Sequence, residues 1–219
     1  MVIHPLSTGF GLSFLLESER GLSLIDSGSP GQQQVVMRKM QAIGRSDLQF
    51  IWITHAHFDH YGSAFALRDL TGARIGVHPA DAESMSAGES PLGSWHGRGS
   101  VLRFAQPLLS RFYPLTRTQP DFLLDDGASL EPYGLKASIL HTPGHTPGHT
   151  CVLLEDGTAF AADLVARNPR PRLQDLLATD WSQLPTSLER LQAARPQRIY
   201  TGHALAPMTG EALQMIRAR

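Results

Sequence analysis

Cys151 is the sole cysteine in the sequence, so no intramolecular disulfide can form, and a reducing compartment, the cytoplasm, is the expected location. No apolar run reaches the roughly 18 residues that a membrane-spanning helix needs. The N-terminus lacks a charged stretch followed by an apolar run and a small-residue cleavage site, so no secretory leader is expected. Neither sign of charge is in excess: 19 lysines and arginines stand against 20 aspartates and glutamates. That balance leaves no electrostatic footprint for a nucleic-acid polymer or an anionic membrane, and a small molecule is the expected partner. Low-complexity linkers are also missing. A chain of 219 residues with 42% hydrophobic and 18% charged content suits one domain over residues 1–219, as a monomer or an oligomer.

Local patterns alternate between strand and helix. Leu12 to Glu17 and Leu22 to Asp26 read as a hairpin turned at Ser18 to Gly21. Apolar residues at Val35, Val36, Met40 and Ile43 predict a helix over Gln32–Ile43, stopped by Gly44. The run Phe50 to Ile53 is apolar without a break, as expected of a strand buried on both faces. A short helix over Ala64–Leu70 and a strand over Arg74–Val77 follow. Helical stretches are expected around Asp81 to Met85 and Val101 to Phe112. In the second half, strands are expected at Leu135–Leu140, Cys151–Leu154, Ala159–Ala162 and Arg198–Thr201, with helices at Leu184–Ala194 and Gly210–Arg217. Strand groups interleaved with helices in both halves suggest two packed sheets with helices outside.

Histidine is what the sequence has in plenty. There are ten, and they cluster: His55, His57 and His60 lie in one loop, and His141, His145 and His149 in another. Clustered histidine beside aspartate points to a metal. Thr54 to His60 follows the buried strand and is expected to form a tight loop, with His55 and His57 turned one way and Asp59 and His60 the other. That geometry suggests two adjacent ions. Further ligand candidates each follow a predicted strand: His145, Asp163 and His203, so all could meet along one edge of the sheets.

The run His55-Ala56-His57-Phe58-Asp59-His60 resembles the HxHxDH motif of the metallo-β-lactamase superfamily. His145, Asp163 and His203 follow in that family's order, and the resemblance begins as early as Leu24-Ile25-Asp26-Ser27-Gly28. It implies an α+β fold, an αββα sandwich of two mixed sheets flanked by helices. It also implies two divalent metal ions, zinc being the expected ion, with manganese or iron accepted by the same donors. His55, His57 and His145 would hold one ion, Asp59, His60 and His203 the other, and Asp163 would bridge them. Asp26 and His149 are read as residues that support the ligands from behind. His141 is read as structural, His4, His78 and His96 as unrelated to the site, and Cys151 as a buried, inert thiol.

The resemblance further implies hydrolysis of a small ester, lactone or thioester by a metal-bridging hydroxide, with Asp59 as the catalytic group that accepts and relays the proton. Phosphodiester cleavage and iron-dependent redox chemistry are the alternatives. Asp163 argues against a true β-lactamase. The Ala204-Leu205-Ala206 stretch after His203 lacks the aromatic pair of glyoxalase II-like thioesterases, and Leu164 to Arg167 lacks the tyrosine of acyl-homoserine lactonases. His57 stands where flavin-partnered di-iron proteins carry glutamate. Two segments are candidates for the pocket wall. Residues 79–120 form a candidate cap, within which Arg98, Arg103, Arg111 and Arg117 alternate with aromatic residues; a helical layer with solvent-facing arginines is the slightly favoured reading. Arg167, Arg170 and Arg172, stiffened by Pro169 and Pro171, are candidate contacts for a substrate carboxylate or phosphate.

Overall fold

A computed structural model describes residues 1–96 and 114–218. The helix expected over Val101–Phe112, together with Arg98, Arg103 and Arg111, lies outside the described residues. Two large sheets form the body. The first runs in the order Val2–Thr8, Gly11–Ser18, Gly21–Ile25, Leu48–Ile53, Arg74–Val77, Phe122–Leu123. Its first three strands are antiparallel and the remaining neighbours parallel. The second runs Ala204–Thr209, Arg198–Thr201, Thr158–Phe160, Thr150–Leu154, Ala137–His141, with one parallel pair, Thr158–Phe160 beside Arg198–Thr201.

The unbroken apolar strands follow from burial on both faces. Phe14, Leu16, Phe50 and Trp52 point into the layer between the sheets, where they meet Ile139, Val152, Phe160 and Tyr200. Their alternating neighbours Leu15, Ile51 and Ile53 point outward, onto Val36, Met40, Leu67 and Met85 of the helices Gln33–Ala42, Ala64–Thr71 and Pro79–Ala87. On the far side, Ala159 and Ile199 of the second sheet pack on Leu188 and Leu191 of the helix Leu184–Ala193 and on Leu213 near the C-terminus. The layers are therefore helix, sheet, sheet, helix, the αββα sandwich expected from the sequence. Among the described residues, no helix is long and apolar enough to cross a membrane.

Among the strands of four residues or more, two were not legible from apolar alternation, Val2–Thr8 and Ala204–Thr209. Both are outermost strands, only partly buried, and each contains a proline, which an edge tolerates because one row of backbone groups is unpaired. The expected loop at Thr54–His60 is also corrected: its second half is a helical turn, Phe58–Tyr61, which carries Asp59 and His60. The strand expected to reach Ala162 stops at Phe160, because Ala162 takes a left-handed φ of 42° and turns the chain out of the sheet. The final helix spans Gly210–Gln214 rather than extending to Arg217.

One tie joins the sheets beneath the ligand loops. The Trp52 indole N–H donates to Thr150 Oγ1 at 3.1 Å, and the Thr150 hydroxyl donates to the Thr54 carbonyl at 3.1 Å. Replacing Thr150 by valine keeps the volume but leaves a buried indole donor unpaired, at a cost of about 1–3 kcal/mol. Urea denaturation checks this; a loss below about 0.5 kcal/mol would mean that the tie adds nothing beyond packing.

Candidate metal centre

The ligand candidates all leave the C-terminal ends of strands. Thr54 to His60 follows Leu48–Ile53, His145 follows Ala137–His141, Asp163 follows Thr158–Phe160, and His203 follows Arg198–Thr201. All seven converge. The donor atoms of His55, His57 and His145 lie within 4.8 Å of one another, as do those of His55, His60 and Asp163, and those of Asp59, His60 and His203. Gly202 permits the closure: a Cβ there would lie 2.1 Å from Asp163 Oδ1 and 2.9 Å from His60 Cε1.

Hydrogen bonds decide which nitrogen of each ring faces inward. A carbonyl only accepts, so a ring nitrogen bonded to one carries a proton, and in the neutral ring the other nitrogen keeps its lone pair. His57 Nε2 donates to the Pro91 carbonyl (3.0 Å), His145 Nδ1 to that of Leu177 (3.1 Å), and His203 Nδ1 to that of Phe10 (2.9 Å). His60 Nδ1 donates to Asp26 Oδ2 at 2.8 Å. The Thr54 hydroxyl donates to Asp26, so it accepts from His55 Nδ1 at 3.1 Å. Every inward nitrogen is thereby fixed from behind, which is how protein metal ligands are oriented.

The inward atoms meet one another rather than outside partners, and His203 Nε2 lies 3.0 Å from Asp163 Oδ2. His55 Nε2 and His57 Nδ1 meet lone pair to lone pair at 3.0 Å. His60 Nε2, His145 Nε2 and Asp163 Oδ1 are buried with no hydrogen bond, and Asp163 lies 3.6 Å from His60 and 3.5 Å from His145. Unpaired buried polar atoms cost about 1–3 kcal/mol each, and so many converging acceptors call for a cation. Imidazole and carboxylate without thiolate suit zinc, manganese and iron alike.

The electrostatics divide the cluster. Burial, reinforced by neighbouring imidazoles, holds His55 and His145 well below the ordinary histidine value. Burial likewise lowers His57. These rings are neutral lone-pair donors at pH 7. Burial opposes charge on His60 too, but Asp26, Asp163 and Asp59 outweigh it and raise this ring to about 9. His203 is raised to about 10, chiefly by Asp163, although partial desolvation opposes the shift. Burial disfavours the Asp163 carboxylate, yet His203 and His60 hold it well below the usual carboxylate range.

The residues read as supports lie directly behind the ligands. Asp26, in a left-handed conformation at φ 57°, accepts from the Thr54 amide at 2.8 Å and from the Thr54 hydroxyl, a strained position of the kind that gathers at functional sites. His149 Nε2 accepts from the Asp163 amide at 3.3 Å while its Nδ1 donates to Thr142 Oγ1 at 2.9 Å. Burial lowers His149 to about 3, so it supports Asp163 as a neutral ring. His141 donates to the Pro147 carbonyl and stacks on His78 at 3.9 Å. His4 pairs with Glu17, and His96 stacks on Trp181. Cys151 is buried, which raises its thiol to about 12. Arg172 folds back on Asp175 and the Asn168 carbonyl, whereas Arg167 lines a cavity that His203 also lines. The sequence reading missed Asp81, a buried carboxylate bonded to both ligand loops. It also missed the carbonyls of Pro91, Leu177 and Phe10, since backbone acceptors leave no residue signature.

The chain matches the family model of the Metallo-beta-lactamase superfamily over residues 6–203. Among curated proteins it is similar to the human Acyl-coenzyme A thioesterase MBLAC2, 25% identical over 183 residues, which cover 80% of this chain and 60% of that protein. The chain therefore spans about 60% of that relative's length. Among solved structures it is similar to a metallo-beta-lactamase from Cronobacter sakazakii altered in its HARLDQ motif. That structure has a TM-score of 0.69 at 27% identity and covers 92% of this chain and 77% of its own. It also shares its fold with TTHA1623 in a di-iron-bound form, with a TM-score of 0.71 at 24% identity, over 99% of this chain and 98% of the other.

Metal loading must displace the protons held by His60 and His203. Titrating metal-free protein at pH 7 in weak buffer is expected to release about two protons as the site fills, and metal affinity is expected to rise toward pH 9. Loading without proton release would show that these two rings are not protonated in the metal-free protein.

Proposed function

From the premise that this chain belongs to the metallo-beta-lactamase superfamily, we propose that it is a dinuclear metal-dependent hydrolase of a small ester, lactone or thioester. The observation that carries the reading is the convergence of seven donors, His55, His57 and His145 on one side, Asp59, His60 and His203 on the other, and Asp163 between them, of which His60 Nε2, His145 Nε2 and Asp163 Oδ1 are buried without a hydrogen bond. Divalent ions bound by these groups supply Lewis-acid polarisation of the scissile carbonyl and acidify a water molecule near neutral pH.

The protein's own residues do the rest. Five of the seven donors are buried and Asp163 is part-buried, while His203 is 49% exposed, so substrate approaches on the His203 side. A cavity of about 490 Å³ opens there, lined by Gly9, Phe10, Arg167, Asn168, His203 and Leu205 among others. Phe10 and Leu205, each more than half exposed, offer apolar surface to an acyl chain or ring. Arg167 supplies the charge to hold a carboxylate or phosphate remote from the scissile bond, which is binding energy that orients the reacting carbonyl. Asp59 Oδ2 lies 3.8 Å from His203 Nε2 and 3.9 Å from His60 Nε2. That proximity supports Asp59 as the carboxylate that would take the proton of the attacking water and return it to the leaving group. Among these bond types, the thioester has the support of the similarity to a protein named as an acyl-CoA thioesterase.

Zinc- and manganese-loaded protein is to be offered a thioester, a lactone, a phosphodiester and a β-lactam, with chelated protein and Asp163→Ala as controls. Turnover of the thioester or lactone, lost in both controls, is expected. Iron retained through purification, with a visible absorption band and no hydrolysis, would replace the reading with redox chemistry. Within the arginine segment, Arg167→Ala is expected to raise KM for an anionic substrate about 10-fold, in line with about 1.5–3 kcal/mol for a hydrogen bond to a charged group. Arg172→Ala is expected to leave KM unchanged. Equal KM for parent and Arg167→Ala would remove the anion contact.

A further inference from the structure

Asp81 belongs to no metal-binding motif and is not among the seven donors, yet it touches both histidine loops. It lies in the first turn of the nine-residue helix Pro79–Ala87 and is fully buried. Its Oδ2 accepts from the Ala56 amide at 2.8 Å and from the Thr146 hydroxyl at 2.7 Å, and its Oδ1 accepts from the Gly148 amide at 2.6 Å. Ala56 stands between His55 and His57, and Thr146 directly follows His145. The approach is built for this carboxylate: a Cβ on Gly148 would lie 2.7 Å from Asp81 Cγ and from Oδ1. Asp26 supports the other half of the site by gripping the His60 ring directly, and reaches His55 only through the Thr54 hydroxyl. Each half therefore has its own buried aspartate. Asp26 grips a ligand ring, whereas Asp81 grips the backbone and hydroxyl groups that set where three rings stand.

We propose that Asp81 is the positioning residue of the ion held by His55, His57 and His145. One carboxylate clamps the loop 54–60 to the loop 142–149, so the three imidazoles of that half converge only while the clamp is closed. The Asp59, His60 and His203 half hangs from Asp26, the helical turn Phe58–Tyr61 and the strand end at Thr201, and does not depend on the clamp. Loss of Asp81 therefore weakens one ion and spares the other. Asparagine cannot replace it, because a carboxamide has one accepting oxygen. Its NH2 would face either the Gly148 amide or the Ala56 amide, donor against donor. This inference rests on the two-metal reading above.

Cobalt(II) titration of metal-free protein, read by visible absorption and by stoichiometry, tests it on the parent, Asp81→Asn, Thr146→Val, Thr146→Ser and His203→Ala. The parent is expected to take up two equivalents. His203→Ala, damaged in the second half, identifies the spectrum of the first ion alone. Asp81→Asn is expected to lose the spectrum that His203→Ala keeps, with that ion bound about 10- to 100-fold more weakly and the other unchanged, the size of effect seen when an outer partner of a metal ligand is removed. Thr146→Val removes one of the three donors without touching the carboxylate and is expected to shift affinity in the same direction by less. Thr146→Ser keeps the hydroxyl and is expected to match the parent. Should Asp81→Asn fail to fold, Thr146→Val against Thr146→Ser carries the test. Variants that titrate like the parent, or that lose both ions equally, overturn the proposal alone. A parent that binds fewer than two ions overturns the dinuclear reading, and the proposal with it.

Discussion

Lone pairs of buried imidazoles and carboxylates face one another at the common edge of the two sheets, and the rest of the structure is arranged around that arrangement. His55 and His57 present acceptors to each other at 3.0 Å, and His60, His145 and Asp163 each keep a buried atom without a partner. Burial alone would favour neutral groups, as it does at His55 and His145. Three aspartates reverse that preference at His60 and raise it to about 9. A cavity of acceptors with excess negative charge nearby is unfavourable until cations enter it, so the fold must supply the rigidity that keeps it from relaxing.

That rigidity comes from two sources. Strands buried on both faces, Gly11–Ser18 and Leu48–Ile53 above all, place the bases of the ligand loops within a close-packed sandwich. Behind each loop, a hydrogen-bond layer then fixes ring orientation. Carbonyls of Pro91, Leu177 and Phe10 serve three rings, Asp26 and Thr54 serve two more, and His149 holds the Asp163 amide. Among the described residues the site is open where His203 borders a cavity with both apolar surface and the Arg167 guanidinium.

Much of this was legible in the residues. Continuous apolar runs such as Phe50 to Ile53 announced two-sided burial, and HxHxDH with its three distant partners announced the convergence, because both patterns are written in side-chain type. What was not legible depends on something other than side-chain type. Val2–Thr8 is a strand because Gly11–Ser18 offers it an edge to pair with, not because its own alternation is strong. Ala162 ends a strand through a backbone dihedral. Asp81 looks like an ordinary helix-start aspartate, and its partners are amides and a hydroxyl 25 or more residues away. Among the three arginines after Asp163, sequence offered no reason to separate Arg167 from Arg172; a turn that folds Arg172 onto Asp175 does.

The most direct test of the account is a crystal structure of zinc-loaded protein with anomalous scattering measured at the zinc edge. Two peaks are predicted, one among His55, His57 and His145 and one among Asp59, His60 and His203, with Asp163 touching both. A single peak, or two peaks that leave His60 Nε2 or Asp163 uncoordinated, would contradict it.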